Sequence, residues 1–153
     1  MIRWRMAESD EDAKAIGRLV ILEMYREVGR APLNPDKAFI NIYDCVKRGN
    51  AAMIFNDEEL VGSLGLVITD FWYSDEPQLV EQWAYISPDY RDGEAGRALF
   101  SAARLIAHRK GFPHVTMIVF NKKRSKAKSK LAVIGEQFDF RPAGSAVILE
   151  AAQ

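Results

Sequence analysis

The sequence predicts an α/β fold, a mixed sheet flanked by helices. Its 48% apolar and 27% charged residues are typical of a globular protein. Stretches with strand and helix periodicity alternate along the chain, and no repeat or linker divides it. A chain of 153 residues is expected to form a single domain over residues 1–153. At this size folding buries roughly 70% of the unfolded surface, so neither a disulfide nor a metal is needed.

The first third of the chain predicts one strand and two helices. Residues 2–6 alternate apolar and basic side chains, as a half-buried strand does. Ser9 is a predicted N-cap, and apolar residues at helical spacing continue to Gly29. A second helix is predicted over residues 36–48. Its expected inward face is Phe39, Ile42, Tyr43 and Val46.

The middle of the chain predicts a hairpin, a loop and a further strand. Strands are expected over residues 51–55 and 60–69, and a further strand over residues 79–86. Between the last two, residues 70–77 are aromatic and acidic and are expected to form a loop. Two glycines in the second strand indicate a bulge or a close backbone approach, Gly62 and Gly65.

The last third predicts a helix that begins at a glycine turn and ends at Gly111. An apolar strand, buried on both faces, is expected over residues 115–120. A short helix over residues 131–134 and a hairpin over residues 138–149 follow. The expected order is β-α-α-β-β-β-α-β-α-β-β.

Composition excludes several kinds of site. Cys45 is the single cysteine, so no internal disulfide or Cys-based zinc cluster can form, and it is expected in the core. His108 and His114 are too few for a His-rich metal centre, so no metal site is predicted. No apolar run approaches the roughly 20 residues of a spanning helix, and no signal-peptide core is present. A cytoplasmic protein is therefore expected.

The charges balance over the chain but not along it. The 21 Lys and Arg residues equal the 21 Asp and Glu residues in number. Six cations lie within nine residues that contain no acid, so the rest of the chain is acidic. We call these six the basic strip: Lys122, Lys123, Arg124, Lys126, Lys128 and Lys130. Such a strip either attracts a polyanion or forms a solvated surface.

Residues 85–99 contain a strand end, a glycine-bearing turn and the start of an amphipathic helix. The first turn of a helix has N–H groups without intrahelical acceptors and the positive end of the helix dipole. Glycines allow a ligand to approach these groups, so the turn predicts a phosphate or pyrophosphate site. A tight strand-to-helix connection with nothing bound is the alternative.

In this segment Ile86-x-Pro88-x-Tyr90-Arg91 resembles the Val/Ile-x-Pro-x-Tyr/Phe-Arg signature of the GNAT acetyltransferase family. Residues 91–96 resemble its acetyl-coenzyme A loop, Gln/Arg-x-x-Gly-x-Gly/Ala, and residues 138–144 its Leu-Gly-Phe-Arg-Pro-x-Gly ending. The order of elements is also the family's order. The resemblance implies acetyl-coenzyme A as the cofactor and a mostly antiparallel sheet. It also implies that the strands at 79–86 and 115–120 lie side by side and splay where the cofactor enters.

The resemblance also implies the cofactor contacts. Backbone groups of Ala84, Tyr85 and Ile86 would pair with the pantetheine arm, and Asn121 matches the Asn that ends the family's fifth strand. The backbone expected to cradle the pyrophosphate is that of Arg91, Asp92, Gly93, Glu94, Ala95, Gly96 and Arg97.

Three features depart from the family pattern. Glu94 occupies a loop position that is usually Gly, where a carboxylate is acceptable only if it points to solvent. Gly135 aligns with the family's tyrosine general acid, so water or another side chain must supply that proton. Phe140 follows Asn121 at a greater distance than in the family, and the basic strip accounts for the excess.

Direct acyl transfer to an amine needs a neutral amine, a group that accepts its proton, and donors for the oxyanion. Glu81 precedes Ile86 by five residues on the predicted strand, where the family often carries a base. A solvated surface glutamate is the alternative for Glu81. Tyr85 is the second catalytic candidate, with core packing as its alternative.

Three functions stay open. The first is transfer of an acetyl or other small acyl group to a small-molecule or protein amine, without an acyl-enzyme, by a monomer or homodimer that does not bind membranes. The second is the same chemistry on a nucleic acid, or on an acceptor bound to it, docked on the basic strip. The third is an acyl-coenzyme A-binding module without turnover. Turnover and salt-dependent nucleic-acid binding separate the three.

Overall fold

In the computed structural model five strands form one open sheet in the order β1-β2-β3-β4-β5. The structure describes residues 1–91, 93–118, 133, 134 and 136–138. The first four strands are antiparallel neighbours, and β5 pairs with β4 in parallel. The predicted fold class is therefore confirmed. The strands are β1 (Ile2–Met6), β2 (Ala51–Asn56), β3 (Glu59–Phe71), β4 (Ser74–Ile86) and β5 (Val115–Thr116).

Helices cover both faces of the sheet and divide the core in two. The helices are α1 (Asp10–Gly17), a π-helical stretch (Arg18–Met24), α2 (Tyr25–Val28), α3 (Pro35–Lys47) and α4 (Glu94–Lys110). The α4-side core includes Ile54, Leu64 and Leu79 together with the inner face of α4. The α3-side core joins Met53 and Trp83 to residues of α1 and α3. Sheet alternation explains this division, because successive side chains point to opposite faces.

The first helix begins where the sequence predicts it. The Ser9 hydroxyl accepts from the Asp12 N–H, and the Asp12 carboxylate accepts from the Ser9 N–H in return, which is a capping box. The sequence did not predict the π-helical stretch Arg18–Met24, where backbone bonds reach five residues back, as from Tyr25 to Val20. Ile16, Val20 and Met24 still pack in the α3-side core.

The second predicted helix, α3, differs at one inward position. It begins with Pro35 at its first turn, capped by the Asn34 side chain, which accepts from the Lys37 N–H. Tyr43 was expected inward but is 36% exposed. The helix turns Cys45 inward instead, because α3 meets the sheet through the adjacent stripe of Ile42, Cys45 and Val46.

The prediction of a loop over residues 70–77 is wrong. β3 continues to Phe71 and β4 begins at Ser74, so only a tight turn joins the two strands. Stacking of Phe71 on Tyr73, with ring centroids 5.3 Å apart, favours this continuation. Pro77 is tolerated opposite Asp70 because pairing with β5 begins only at Leu79, beyond the proline.

The strand expected over residues 115–120 does lie beside β4, but its described residues are not buried on both faces. Val115 and Met117 pack on the α4-side core, whereas Ile118 is 45% exposed. Within the described residues β5 has a neighbour only on its β4 side, which accounts for this exposure. Val133 and Ile134 are helical, as expected, and Glu136, beyond the predicted helix, is helical too. The hairpin predicted at 138–149 lies outside the described residues except Phe138.

Candidate active site

The backbone ladder between β4 and β5 is short. Leu79 pairs with Val115 and Val80 with Thr116. Two residues beyond Thr116, the Ile118 N–H donates instead to the Glu81 carboxylate at 2.8 Å. A side chain thus replaces the next rung of the ladder, and the two strands part at Glu81.

A β-bulge in β4 lies directly after Glu81. Leu66 pairs with Glu81 but Gly65 pairs with Trp83, so Gln82 is the extra residue. The Gln82 side chain accepts from the Cys45 thiol at 3.1 Å on the α3 side, where Trp83 is also buried. The bulge therefore shifts the alternation, so that Tyr85 follows Trp83 on the α3 side. Glu81 shares the α4 side with Leu79, and the structure places the two catalytic candidates on opposite faces.

Glu81 is held half-buried between the parting strands. Burial raises the pKa of Glu81 to about 7, and the hydrogen bond from Ile118 opposes part of that rise. A carboxyl with a pKa near neutrality can accept a proton at physiological pH and release it again.

The cofactor-binding prediction for β4 falls on its open edge. The Ser87 N–H donates to Val61 on β3 at 2.8 Å. Alternation along a strand then directs the backbone groups of Ala84 and Ile86 to the opposite edge, where the described residues provide no β5 ladder.

The turn after β4 leads into α4 through Gly93. This residue has φ 123°, a conformation that favours glycine, and it is the N-cap of α4. The first helical bond runs from the Arg97 N–H to the Gly93 carbonyl at 3.0 Å, so the helix end carries no side-chain cap. Ala95 and Gly96 are buried in this first turn, whereas Glu94 is exposed, as its place in the loop requires.

The two arginines of the predicted cofactor loop bind protein groups. Arg91 donates through Nε to the Ile86 carbonyl at 2.7 Å, and through both Nη atoms to Glu27 at 2.7 and 2.6 Å. Arg97 donates to the Gln137 side chain at 2.7 Å. Asp92 and Asn121 lie outside the described residues, as do Gly135 and the basic strip.

The π-helical stretch and α2 follow α1 without a break, and we call residues 10–28 together the first helical segment. A cavity of about 460 Å³ lies between this segment and the end of β4. Leu22, Glu23, Arg26 and Glu27 form one wall, and Tyr85, Pro88 and Arg91 form the other. Sequence reasoning did not identify the helix wall. The available signal was a pair of acids four residues apart near the end of an amphipathic helix.

Tyr85 packs at this wall rather than beside Glu81. Its side chain is buried, with the Arg91 guanidinium 5.4 Å from the centre of its ring. Burial raises the pKa of Tyr85, so the phenol stays protonated at neutral pH.

Cys45 has the core position that the sequence predicts. It is 4% exposed, and burial raises the pKa of its thiol to about 12, so it is not a nucleophile at neutral pH. In the part of the chain that the structure describes, no group of three or more His, Cys, Asp and Glu could hold a metal ion.

Comparison with known protein families gives one match. The model described as "Acetyltransferase (GNAT) family" matches residues 9–128. No curated protein matches the sequence significantly. Among the residues with described structure, no helix has the length and apolar character needed to cross a bilayer.

Solved structures share the fold at low identity. An integron cassette protein from the mobile metagenome of Cole Harbour Salt Marsh aligns with TM-score 0.69 and 17% identity, over 98% of this chain and 90% of its own. AAC(6')-Iy, in complex with the bisubstrate analogue CoA-S-monomethyl-acetylneamine, aligns with TM-score 0.68 and 11% identity, over 100% and 99%. The Acinetobacter baumannii aminoglycoside 6'-N-acetyltransferase AAC(6')-Ih aligns with TM-score 0.66 and 10% identity, over 100% of this chain and 99% of its own.

Proposed function

Because the chain belongs to the GNAT acetyltransferase family, which its match over residues 9–128 establishes, we propose that it moves an acetyl group from acetyl-coenzyme A to an amine. The observation that carries this proposal is the parting of β4 and β5 at a carboxyl group with a pKa of about 7. The N-terminus of α4, which has no side-chain cap, lies at the end of the same strand. The aminoglycoside acetyltransferases of similar fold support an amine as the acceptor.

The described residues fit coenzyme A. The open edge at Ala84 and Ile86 can pair with the amide groups of a pantetheine arm. The glycine turn and first turn of α4 offer backbone N–H groups and the positive end of the helix dipole to a pyrophosphate. Acetyl-coenzyme A, when bound, supplies the acyl group as a thioester.

We assign the proton transfer to Glu81. Its carboxylate accepts a proton from the amine, whose nitrogen bonds to the acyl carbon as the carbon–sulfur bond breaks. The leaving thiolate takes a proton from water. Tyr85 lies on the other face of the sheet and forms part of the cavity wall.

Turnover with a panel of amines, followed by thiol release from acetyl-coenzyme A, tests the proposal. In the wild type, kcat/KM should rise with pH and level off above about pH 7, because Glu81 must be deprotonated to act. An acceptor amine with a pKa well below 6 keeps its own titration out of this range.

Glu81→Gln should lower kcat/KM by about 100-fold and remove the pH dependence. Glu11→Gln, which removes an exposed carboxylate on α1, is the matched control and should leave both unchanged. A fully active Glu81→Gln variant would contradict the assignment, and binding without turnover of any amine would support the non-catalytic module.

The charge distribution favours a second candidate acceptor. The basic strip concentrates six cations in a chain with no net charge. One coenzyme A phosphate needs one or two of them, so the others are available for a polyanion. We propose nucleic acid, or a protein bound to it, as the alternative acceptor.

A further inference from the structure

Two carboxylates of the first helical segment hold the turn that connects β4 to α4. Glu23 accepts from the Ser87 hydroxyl at 2.9 Å, and Glu27 accepts from both Nη atoms of Arg91, the nearer at 2.6 Å. Ser87 and Arg91 flank the 3₁₀ turn Pro88–Tyr90 on either side. The helix therefore contacts this turn at both ends. We call Glu23 and Glu27 the acidic pair.

Arg91 is held by the protein on three sides. Besides the two bonds to Glu27, its Nε donates to the Ile86 carbonyl at 2.7 Å, and its guanidinium lies over the ring of Tyr85. The bidentate carboxylate neutralises its charge. These bonds commit three of the five N–H donors of the guanidinium to protein groups, which fixes the backbone around it.

The acidic pair gains a charged partner from the turn. The Glu27 side chain is only 17% exposed, so its carboxylate has lost much of its hydration, and a charged partner offsets that cost. Arg91 is such a partner, and the helix and the turn thus stabilise each other.

The π-helical stretch Arg18–Met24 directs the acidic pair toward the turn. Its backbone bonds reach back five residues, which inserts extra residues per turn and rotates everything that follows relative to an uninterrupted α-helix. Glu23 lies in this stretch and Glu27 in α2, three residues beyond its end, and both line the cavity beside Arg91.

We propose that Glu27, supported by Glu23, is a positioning residue for the cofactor. Through Arg91 it fixes the turn that delivers the N-terminus of α4 to the pyrophosphate. The cofactor part rests on the proposed function, whereas the bracing of the turn does not. The competing role for Arg91, a direct phosphate ligand, predicts the opposite effect of removing Glu27, because that removal would release a cation.

Amide hydrogen exchange without any ligand tests the bracing. Peptides that cover residues 84–93 should exchange severalfold faster in Glu27→Gln than in the wild type. Asp44→Asn, which breaks the exposed pair with Arg48 on α3, is the matched control and should exchange as the wild type does. Equal exchange in Glu27→Gln and wild type would overturn the proposal.

Calorimetric titration with coenzyme A tests the cofactor part. Glu27→Gln should weaken binding about tenfold. The double variant Glu27→Gln/Arg91→Gln should bind no more weakly than Arg91→Gln alone, because the two side chains act as one unit. Asp44→Asn should bind as the wild type does, and circular dichroism verifies that each variant is folded.

Unchanged binding by Glu27→Gln would overturn the positioning role, and tighter binding would both overturn it and assign Arg91 to the phosphate. A wild type that does not bind coenzyme A would overturn the proposed function and the cofactor part of this inference together. The exchange experiment would then decide the bracing of the turn alone.

Discussion

A single carboxylate, Asp12, ties β1 to the first helix. It accepts from both Nη atoms of Arg5 at 2.8 and 2.7 Å, and from the Glu8 N–H at 2.9 Å. Its side chain is 11% exposed. The bond from Arg5 holds the pKa of Asp12 well below its usual range.

Asp12→Asn should lower the free energy of unfolding by about 1–3 kcal/mol at neutral pH, since buried donors lose a charged acceptor. A pKa depressed in the folded state stabilises above the unfolded pKa and ceases to do so as the pH falls. The difference from the wild type should therefore narrow below about pH 4, as urea denaturation at several pH values would show. A difference independent of pH would contradict this account, and Asp44→Asn is the exposed control.

Among single residues, Glu81 could be chosen as a candidate from the sequence, whereas Glu27 could not. Glu81 precedes a recognisable motif, so its position could be predicted. Glu27 gains its role only from Arg91, which is 64 residues away along the chain. Sequence patterns of helical or strand periodicity contain no such pairing.

At the level of elements, two glycines of β3 lie close against β4. A Cβ atom on Gly62 would lie 2.8 Å from the Tyr85 carbonyl oxygen, and Gly65 leaves less room still. A Cβ atom built on Gly65 would lie 2.2 Å from the Trp83 ring, a separation that real atoms do not adopt. Trp83 also donates to the Ser63 hydroxyl at 3.0 Å within the buried interior. The sequence predicted a bulge or a close backbone approach at this glycine. The register shifts beside it, between Gly65 and Leu66, and its close neighbour is an indole side chain.

Gly65→Ala should displace Trp83 and destabilise the protein by about 1–3 kcal/mol, as overpacking of a filled core does. Gly17→Ala is the matched control, because its Cβ would meet Phe39 at an ordinary 3.4 Å within a helix. It should be neutral or slightly stabilising. Thermal unfolding of both variants measures the difference, and equal midpoints would contradict the packing argument.

For the whole molecule, the distribution of charge leads to the last prediction. We propose that residues 1–153 form one domain with an acidic body and the basic strip. Duplex and single-stranded DNA should bind with roughly micromolar affinity at low salt. The logarithm of the binding constant should fall with the logarithm of salt concentration by about 0.9 for each phosphate contacted.

The triple variant with Ala at Lys123, Lys126 and Lys128 should lose most of this binding and show a shallower salt dependence. Titrations at two salt concentrations, monitored by fluorescence anisotropy of labelled DNA, measure both. If the wild type does not bind even at low salt, the strip is a solvated surface and a small amine is the acceptor.

The sequence by itself determined the local structure of this protein. Helix starts, glycine stops and strand alternation predicted β1, α3, α4 and the β2–β3 hairpin to within a few residues, because caps and periodicity act over one or two turns. The motif after β4 identified the family, and the charge arithmetic located the basic strip. The predictions were wrong at residues 70–77, at Tyr43 and in the burial of Ile118, because the neighbouring elements outweighed local preference. The sequence also did not predict the π-helical stretch.

Only the tertiary structure decided how these pieces form a site. The extra residue Gln82 set which face each side chain of β4 occupies, because one added residue reverses a period of two. The gap in the β4–β5 ladder and the burial that raises the pKa of Glu81 depend on residues more than 30 positions apart. The bidentate bond between Arg91 and Glu27 likewise joins residues that are far apart along the chain. Such contacts arise from packing between distant segments, and a pattern read along the chain has no means of representing them.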